Sequence, residues 1–285
     1  MTGSFWNAGP FSTMGTPSPT SSGHRSTPLR PMRNWSGDYW YLIENLVLKD
    51  FKIRYRNMSL GVFWSVLNPL VMMSVLWFVF TRIFPNRVPH YALFVMCGLV
   101  PFNVFTICWL NGTTSLIENA HLIKRVPVPR EIIPVAAVLG NCLQLFAQVL
   151  LLLFLAAAAT GIHRSWIWLL AIWPLEVLFV TGLALMFSAL NVYVRDVRYV
   201  VESANVVLFW LVPIVYDFRW IPAKYHAIYA YNPVAAMVMA LRNVLLDQTA
   251  PAATLLLKAT LSSVAMFLLG WAVFRRLRPR FYNYL

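Results

Sequence analysis

Residues 132–161 read IIPVAAVLGNCLQLFAQVLLLLFLAAAATG, a run without a single charged side chain. About 20 helical residues suffice to cross the ~30 Å hydrocarbon core of a bilayer. The helices of a soluble protein seldom stay apolar over such a length, because one face normally meets water. The run therefore predicts a helix that crosses a membrane.

The whole chain has the composition of a membrane protein. Of its 285 residues, 59% are hydrophobic and 12% are charged, whereas soluble domains carry about 25% charged residues. Long apolar runs recur, so we predict an all-α integral membrane protein with six transmembrane helices. The predicted spans are residues 60–84, 91–111, 132–161, 166–192, 200–216 and 252–274, of which the fifth is short. Residues 226–246 are interrupted by Asn232-Pro233 and Arg242, which favours re-entrant helices between the fifth and sixth spans.

Two segments precede the spans. Residues 1–33 are rich in Ser, Thr, Pro and Gly and lack apolar periodicity, so we expect a disordered tail. Residues 34–57 contain apolar side chains spaced by three or four, which predicts an amphipathic helix in the membrane interface; a solvated helix would show the same pattern. The six-span domain then occupies residues 58–285. The residues predicted to contact lipid phosphates are Lys49, Lys52, Arg54 and Arg56.

The basic residues predict the orientation of the chain. With six spans both termini lie on one side, and that side holds sixteen of the 23 Lys and Arg residues. Positively charged loops tend to stay in the cytoplasm, so we expect both termini there. This distribution explains the formal net charge of +13, and we expect no nucleic-acid partner. Aromatic residues near the span ends, among them Phe281, are typical of the interfacial belt.

The sequence carries no pattern that indicates catalysis or metal binding. It has no GxxxxGK(S/T) loop for ATP phosphates, its five histidines are solitary, and its ten acidic residues are scattered. We therefore predict a subunit without enzymatic activity and without a catalytic, cofactor or metal site. The three cysteines have no CxxC spacing and are typical of small buried apolar residues.

Two polar segments on the predicted cytoplasmic side indicate partner contacts. Residues 116–131 begin with the apolar spacing of a short helix, which is followed within the segment by a basic pair and two prolines. Such a helix is suited to bind a partner protein, although an ordinary positive-inside anchor would look the same. In residues 189–198, ALNVYVRDVR, Asp196 can pair with Arg195 or Arg198 and fix the turn.

The order of the motifs resembles a known family. They run RYRxxxLGxxWxxLNP from Arg54, GLVPFN from Gly98, LIKRVPVPREIIP from Leu122, then ALNVYVRDVR, PIVY, and NP with a following Arg. This order is similar to the type-2 ABC transporter permeases that export O-antigen, teichoic acid and capsule polysaccharides. The resemblance runs from about residue 34 to the end. One departure is VPVPR, where the family usually has an aromatic residue before the second proline.

The resemblance implies a homodimer in the bacterial plasma membrane that carries two copies of a separate ATPase, on which ATP and Mg²⁺ would bind. It implies export of a lipid-linked polysaccharide, O-antigen-like first and teichoic-acid-like second. It also implies that the 116–125 helix couples to the ATPase and that the loop at 195–198 makes a second contact. The coupling residues so assigned are Leu116, Glu118, His121, Lys124, Arg125, Arg195, Asp196 and Arg198.

Aromatic side chains are candidates for the path of a sugar chain, because rings supply contact area without a fixed hydrogen-bond register. Packing within the protein or against lipid would also explain them. The candidates are Trp64, Trp77, Phe80, Phe102, Phe105, Trp109, Phe209, Trp210 and Tyr216. Glu176 lies within the fourth predicted span, where an acid is either functional or protonated and hydrogen-bonded to a neighbouring helix.

The sequence leaves two alternatives to polysaccharide export, one within the same family and one from a different class. Within the same family, the chain would be a permease for a drug or a small lipid. From a different class, an integral membrane glycosyltransferase or phosphotransferase would need clustered carboxylates, which the scattered acids do not provide.

Overall fold

A computed structural model describes residues 39–284 apart from 56–62, 84–87, 126–127, 226–228 and 230–231. The predicted tail at residues 1–33 and Arg56 lie outside the described residues. Helices account for nearly all of the described chain, and these residues include no strand. The all-α prediction is confirmed.

Nine α-helices follow one another along the described residues, with 3-10 or π turns at several of their ends. Their bounds are α1 Tyr39–Tyr55, α2 Phe63–Phe78, α3 Tyr91–Glu118, α4 Ala120–Arg125, α5 Ile132–Thr160, α6 Leu169–Tyr193, α7 Val197–Leu211, α8 Pro233–Leu245 and α9 Ala253–Leu277. A π turn, Val79–Ile83, continues α2, and a 3-10 turn, Arg278–Asn283, follows α9.

Five helical segments of the described chain are long and apolar enough to cross a membrane. They are Val66–Ile83, Tyr91–Glu118, Ile132–Thr160, Arg164–Tyr193 and Ala253–Phe281. They correspond to the first, second, third, fourth and sixth predicted spans. The chain is thus a multi-pass helical protein whose apolar segments suit an integral membrane protein.

The fifth predicted span, residues 200–216, is shorter in the structure than the sequence indicates. Helix α7 ends at Leu211, and Val212 takes an extended conformation with φ −97° and ψ 132°. The cause is Pro213, since a proline disfavours helical geometry in the residue before it. The 15 residues of α7 reach only about 23 Å at 1.5 Å per residue. A sixth crossing stays a prediction.

Helix α8 explains the Asn-Pro motif in the segment predicted to be re-entrant. The side chain of Asn232 caps the helix by accepting hydrogen bonds from the backbone N–H groups of Val234 (3.1 Å) and Ala235 (3.4 Å). Pro233 occupies the first helical position, where a missing N–H costs nothing. Most of the 13 residues of α8 are buried. The helix is therefore too short to span and is enclosed by protein; re-entry from one membrane face stays a prediction.

Helices α3 and α6 form the centre of the protein, and α2 lies at its outside with few buried side chains. Helix α6 contacts α9 where Gly182 meets Gly270. A Cβ on Gly182 would lie 2.6 Å from the backbone of Met266, and one on Gly270 would overlap the Gly182 carbonyl group. Small residues at such a crossing allow two helix backbones to approach closely, as is common in membrane bundles.

Candidate functional site

The predicted coupling segment is a separate helix in the structure. Helix α3 ends at Glu118, Asn119 interrupts the helix, and α4 follows. The Asn119 carbonyl oxygen accepts hydrogen bonds from the backbone N–H groups of Leu122 and Ile123 at 3.0 and 3.2 Å, which starts the new helix. The side chains of His121 and Lys124 are exposed. The short amphipathic helix that the sequence indicates is therefore present, and two of its polar side chains point outward.

Leu116 does not share that exposure. Its side chain is 0% exposed and packs in a cluster with Ile123, Ile133 and Phe281. The assignment of Leu116 as a partner contact was wrong for this protomer. Leu116 belongs to the last turn of α3, and its side chain faces the interior. Glu118, two residues further along and so on the other side of the helix, is exposed.

Helix α1 is attached to the start of α4. Lys49 Nζ donates a hydrogen bond of 2.8 Å to Asn119 Oδ1 at the α3–α4 junction. Leu46 is buried against Ile132 and Ala136 of α5. Lys49, predicted to contact a lipid phosphate, is thus engaged by protein, while Lys52 is exposed. The backbone at Arg54 is helical, but its side chain, like all of Arg56, lies outside what the structure describes.

The turn at residues 194–197 presents exposed charges beside the end of α3. Arg195, Asp196 and Arg198 are all exposed. Arg198 Nε pairs with Glu202 Oε1 at 2.8 Å, one helical turn away, and not with Asp196 as the sequence allowed. The hydrogen bond to Glu202 raises the pKa of the Arg198 guanidinium, and the charge of Glu118 adds to this effect. Asn191, just before this turn, donates a hydrogen bond of 3.1 Å to the Thr113 carbonyl oxygen of α3, so the end of α3 and the 194–197 turn lie at the same end of the protein.

The C-terminal turn, which the sequence analysis did not assign to the site, holds these pieces together. Arg130 donates a hydrogen bond of 2.8 Å to the carbonyl oxygen of Arg278 and lies 5.9 Å from the centre of the Phe281 ring. Arg278 pairs in return with Glu131 at 3.1 Å. The Tyr193 hydroxyl donates to the Leu277 carbonyl oxygen at 2.8 Å. Phe281 is 0% exposed, so its assignment to an interfacial belt was wrong.

We call this assembly the coupling end: α1, α4, the 194–197 turn and the 278–283 turn. Burial and the neighbouring Arg278 lower the pKa of Arg130, while Glu131 opposes the change. The contacts inside the coupling end use Lys49, Arg130 and Arg278. They leave His121, Lys124 and Arg195 exposed.

At the other end of α3 a single buried arginine joins three motifs. Arg242, on α8, donates hydrogen bonds through one terminal nitrogen to the carbonyl oxygens of Ile214 (2.7 Å) and Phe94 (3.3 Å). Its guanidinium carbon lies 3.5 Å from the centre of the Phe94 ring. A Cβ on Gly98 would come within 3.2 Å of that terminal nitrogen. We call this contact set the Arg242 joint.

The joint brings GLVPFN, PIVY and the arginine after NP into one contact set. The non-helical stretch at Pro213 exposes backbone carbonyl groups that need partners inside the protein. Arg242 satisfies that of Ile214, and the Tyr91 hydroxyl satisfies that of Val215 at 2.7 Å. Gly98 leaves room for the guanidinium. Arg242, which interrupts the apolar residues 226–246 in the sequence, is buried in the structure.

The candidate path aromatics divide into two groups. Phe102, Phe105 and Trp109 are buried among themselves and against Phe179 and Phe209. These three line no surface of the protomer, so their assignment to a path was wrong: ring spacing on α3 reflects its central position. The exposed rings are Trp64, Trp77 and Trp210, and the half-buried ones are Phe80, Phe209 and Tyr216.

Glu176 is 2% exposed and lies within α6. Its Oε2 atom makes no hydrogen bond with any described residue. The neighbouring-helix partner considered from the sequence is thus missing at that oxygen. A buried acid with an unsatisfied oxygen is costly in a membrane.

Five apolar spans around a central helix pair are the architecture of a multi-pass helical membrane protein. A family model described as ABC-2 type transporter matches residues 41–246. The chain belongs to the ABC-2 type transporter family. The resemblance drawn from the motifs is confirmed.

Three relatives show more specifically which members of this family the chain is similar to. The O-antigen export system permease protein RfbA of Klebsiella pneumoniae is 31% identical over 248 residues, covering 85% of this chain and 95% of the relative. A protein of the same name from Myxococcus xanthus is 25% identical over 250 residues, with the same coverage of each chain. The polysialic acid transport protein KpsM of Escherichia coli is 24% identical over 204 residues, covering 69% of this chain and 78% of KpsM.

Proposed function

We propose that this chain is the transmembrane subunit of an ATP-driven exporter that moves a lipid-linked polysaccharide out of the cytoplasm across the bacterial plasma membrane. The relatives described above carry the names of O-antigen export and polysialic acid transport proteins. Their shared cargo is a glycan, which supports this reading over a drug or small-lipid permease. We propose an O-antigen-like glycan in preference to a teichoic-acid-like one, because the relatives with the higher identity carry the O-antigen name.

The observation that carries the proposal is the coupling end. Contacts within the chain hold the elements of the coupling end together. The side chains of His121, Lys124 and Arg195 nevertheless remain exposed on them. A charged, exposed surface on a braced short helix suits a soluble protein partner. That partner would be the ATPase, with ATP and Mg²⁺ bound on it, since this chain has no phosphate-binding loop of its own. The coupling end would then lie in the cytoplasm, with both termini.

A second copy of the chain would complete the passage. Helices α2 and α7 expose apolar side chains along their length, among them Val71, Val75, Val206 and Trp210. Lipid would cover such faces, and so would a second protomer. We propose the homodimer, with two ATPase subunits, because α7 is shorter than a bilayer and α2 is scarcely buried within one protomer. Trp64, Trp77 and Trp210 are the exposed rings available to the passing glycan.

Deletion of the gene tests this proposal. We expect the surface glycan to disappear, lipid-linked chains to accumulate inside, and a plasmid copy to restore export. The tagged chain should copurify with an ABC ATPase at equal stoichiometry. A deletion strain that keeps its surface glycan but becomes sensitive to a drug would instead establish the small-molecule permease.

A further inference from the structure

Two adjoining cavities lie at the end of the protomer opposite α4. The first, of about 550 Å³, is bordered by the start of α3, the 3-10 turn Phe218–Trp220, and the last turn of α8. The second, of about 450 Å³, lies beside it. Trp220 lines both. Each volume falls within the ~300–1,000 Å³ of small-molecule sites.

The first cavity has apolar and charged side chains in its wall, and the charges balance. Asp217 and Asp247 line it together with Arg219 and Arg242, and His90 and Asn243 add further polar groups. Asp217 Oδ1 accepts a hydrogen bond of 2.9 Å from the backbone N–H of Arg219, which fixes the carboxylate at the wall. Arg242, 7% exposed, has an Nε that donates to no described group.

This balance selects among ligands. An anion would meet the two aspartates, and a cation would meet the two arginines. An apolar ligand would cover charged groups without replacing their hydrogen bonds, which is unfavourable for each group left unsatisfied. A neutral polyhydroxyl compound can donate to carboxylates and accept from guanidinium and amide groups at once.

The second cavity is aromatic with hydroxyl groups at its wall. Tyr216, Tyr225 and Tyr229 line it together with Trp220. The hydroxyl oxygens of Tyr216 and Tyr229 lie 3.0 Å apart, and the Tyr216 hydroxyl also donates to the Trp210 carbonyl oxygen at 2.6 Å. These bonds hold the tyrosine rings in place. Flat rings with a polar edge suit the two chemical faces of a sugar, apolar C–H above and hydroxyl groups around.

We propose that the two cavities form one carbohydrate-binding strip, with Trp220 as the stacking platform between them, that holds sugar units of the glycan during export. This inference rests on the proposed function and adds a binding site to it. The strip lies beside the start of α3, whose 28 residues place it roughly 42 Å from the coupling end at 1.5 Å per residue. At that distance the strip can hold the glycan while the coupling end changes its contacts with the ATPase.

The test has two stages so that the two proposals fail separately. First, the deletion strain must lose a surface glycan; a strain that keeps it overturns the proposed function and the strip with it. Second, oligosaccharide released by mild acid from that same glycan is titrated against the intact permease–ATPase complex in lipid nanodiscs, with tryptophan fluorescence and calorimetry as readouts.

We expect saturable binding by the wild-type complex. Trp220→Ala and Asp217→Asn should each raise the Kd about tenfold, as expected for loss of one stacked ring or one buried polar contact. Trp220→Phe should keep most of the affinity because it keeps a ring. The matched control is Trp168→Ala, which removes an exposed tryptophan that lines neither cavity.

Each variant is first checked for complex assembly, which should match that of the wild type because Trp220 is 54% exposed. Absence of binding by the wild-type complex overturns the strip alone. So does unchanged affinity in both Trp220→Ala and Asp217→Asn.

Discussion

The coupling end and the Arg242 joint are built around basic residues, but they use the charge in opposite ways. At the coupling end, Lys124 and Arg195 are exposed while neighbouring groups hold the scaffold. At the joint, Arg242 is 7% exposed and its hydrogen bonds go to backbone carbonyl groups. A basic motif near a span end can therefore bind a partner protein only where contacts within the chain leave its charge exposed.

Replacing Arg242 should have the largest effect on stability. Arg242→Met removes both hydrogen bonds and leaves two buried carbonyl groups without their donor, at a cost of about 2–5 kcal/mol. We expect a large fall in the midpoint of thermal unfolding in detergent and little mature protein in the membrane. Arg219→Met, an exposed arginine at the same end, is the control and should change little. Equal stability of the two variants would contradict a structural role for the joint.

The buried anchor of the coupling end should come next. Phe281→Ala removes a fully buried ring from the cluster that contains Ile123, and we expect a loss of about 1–3 kcal/mol because the C-terminal turn can relax. Export should fall more than protein abundance, since the turn supports α4. Tyr284→Ala, which changes an exposed ring nearby, serves as the control. If export and abundance fall in proportion, the turn only stabilises the fold.

A smaller effect separates the two lysines of α1. Lys49→Met loses the hydrogen bond to Asn119 and should cost about 0.5–1.5 kcal/mol. Lys52→Met changes an exposed side chain and should be nearly neutral in unfolding experiments. Should Lys52→Met be the more damaging of the two, α1 would be held by lipid phosphates instead of by α4.

The exposed pair at the start of α7 should have the smallest effect. Glu202→Gln breaks its ion pair with Arg198, and we expect only a slight loss of stability because solvent screens an exposed pair of this kind. The difference from the wild type should vanish at high salt. A persistent loss at 1 M salt, where the Debye length is about 3 Å, would show that the pair is better shielded than its exposure indicates.

Much of the fold could be predicted from the sequence because apolar run length reports on the bilayer directly. Five spans follow from it, whereas the fifth predicted span was drawn through Pro213, where the structure ends the helix. Periodicity cannot tell which neighbour a side chain meets. Leu116, Phe105 and Phe281 looked like contact, path and belt residues, and each lies in the interior.

The parts of the site that were missed depend on long-range contacts. Arg130 meets Arg278, which is 148 residues away, and Arg242 meets Phe94 at the same separation. Trp220 lines two cavities formed by segments that are distant in sequence. One sequence alone carries no signal for such pairings.

The most direct test of the central claim reverses charge at α4 in the reconstituted permease–ATPase complex. Lys124→Glu with Arg125→Glu should leave protein stability within about 0.5 kcal/mol of the wild type, keep ATP hydrolysis, and abolish glycan export. Arg164→Glu, an exposed arginine at the opposite end, should export normally. Unchanged export by the double variant, with the complex intact, would contradict the assignment of α4 as the coupling surface.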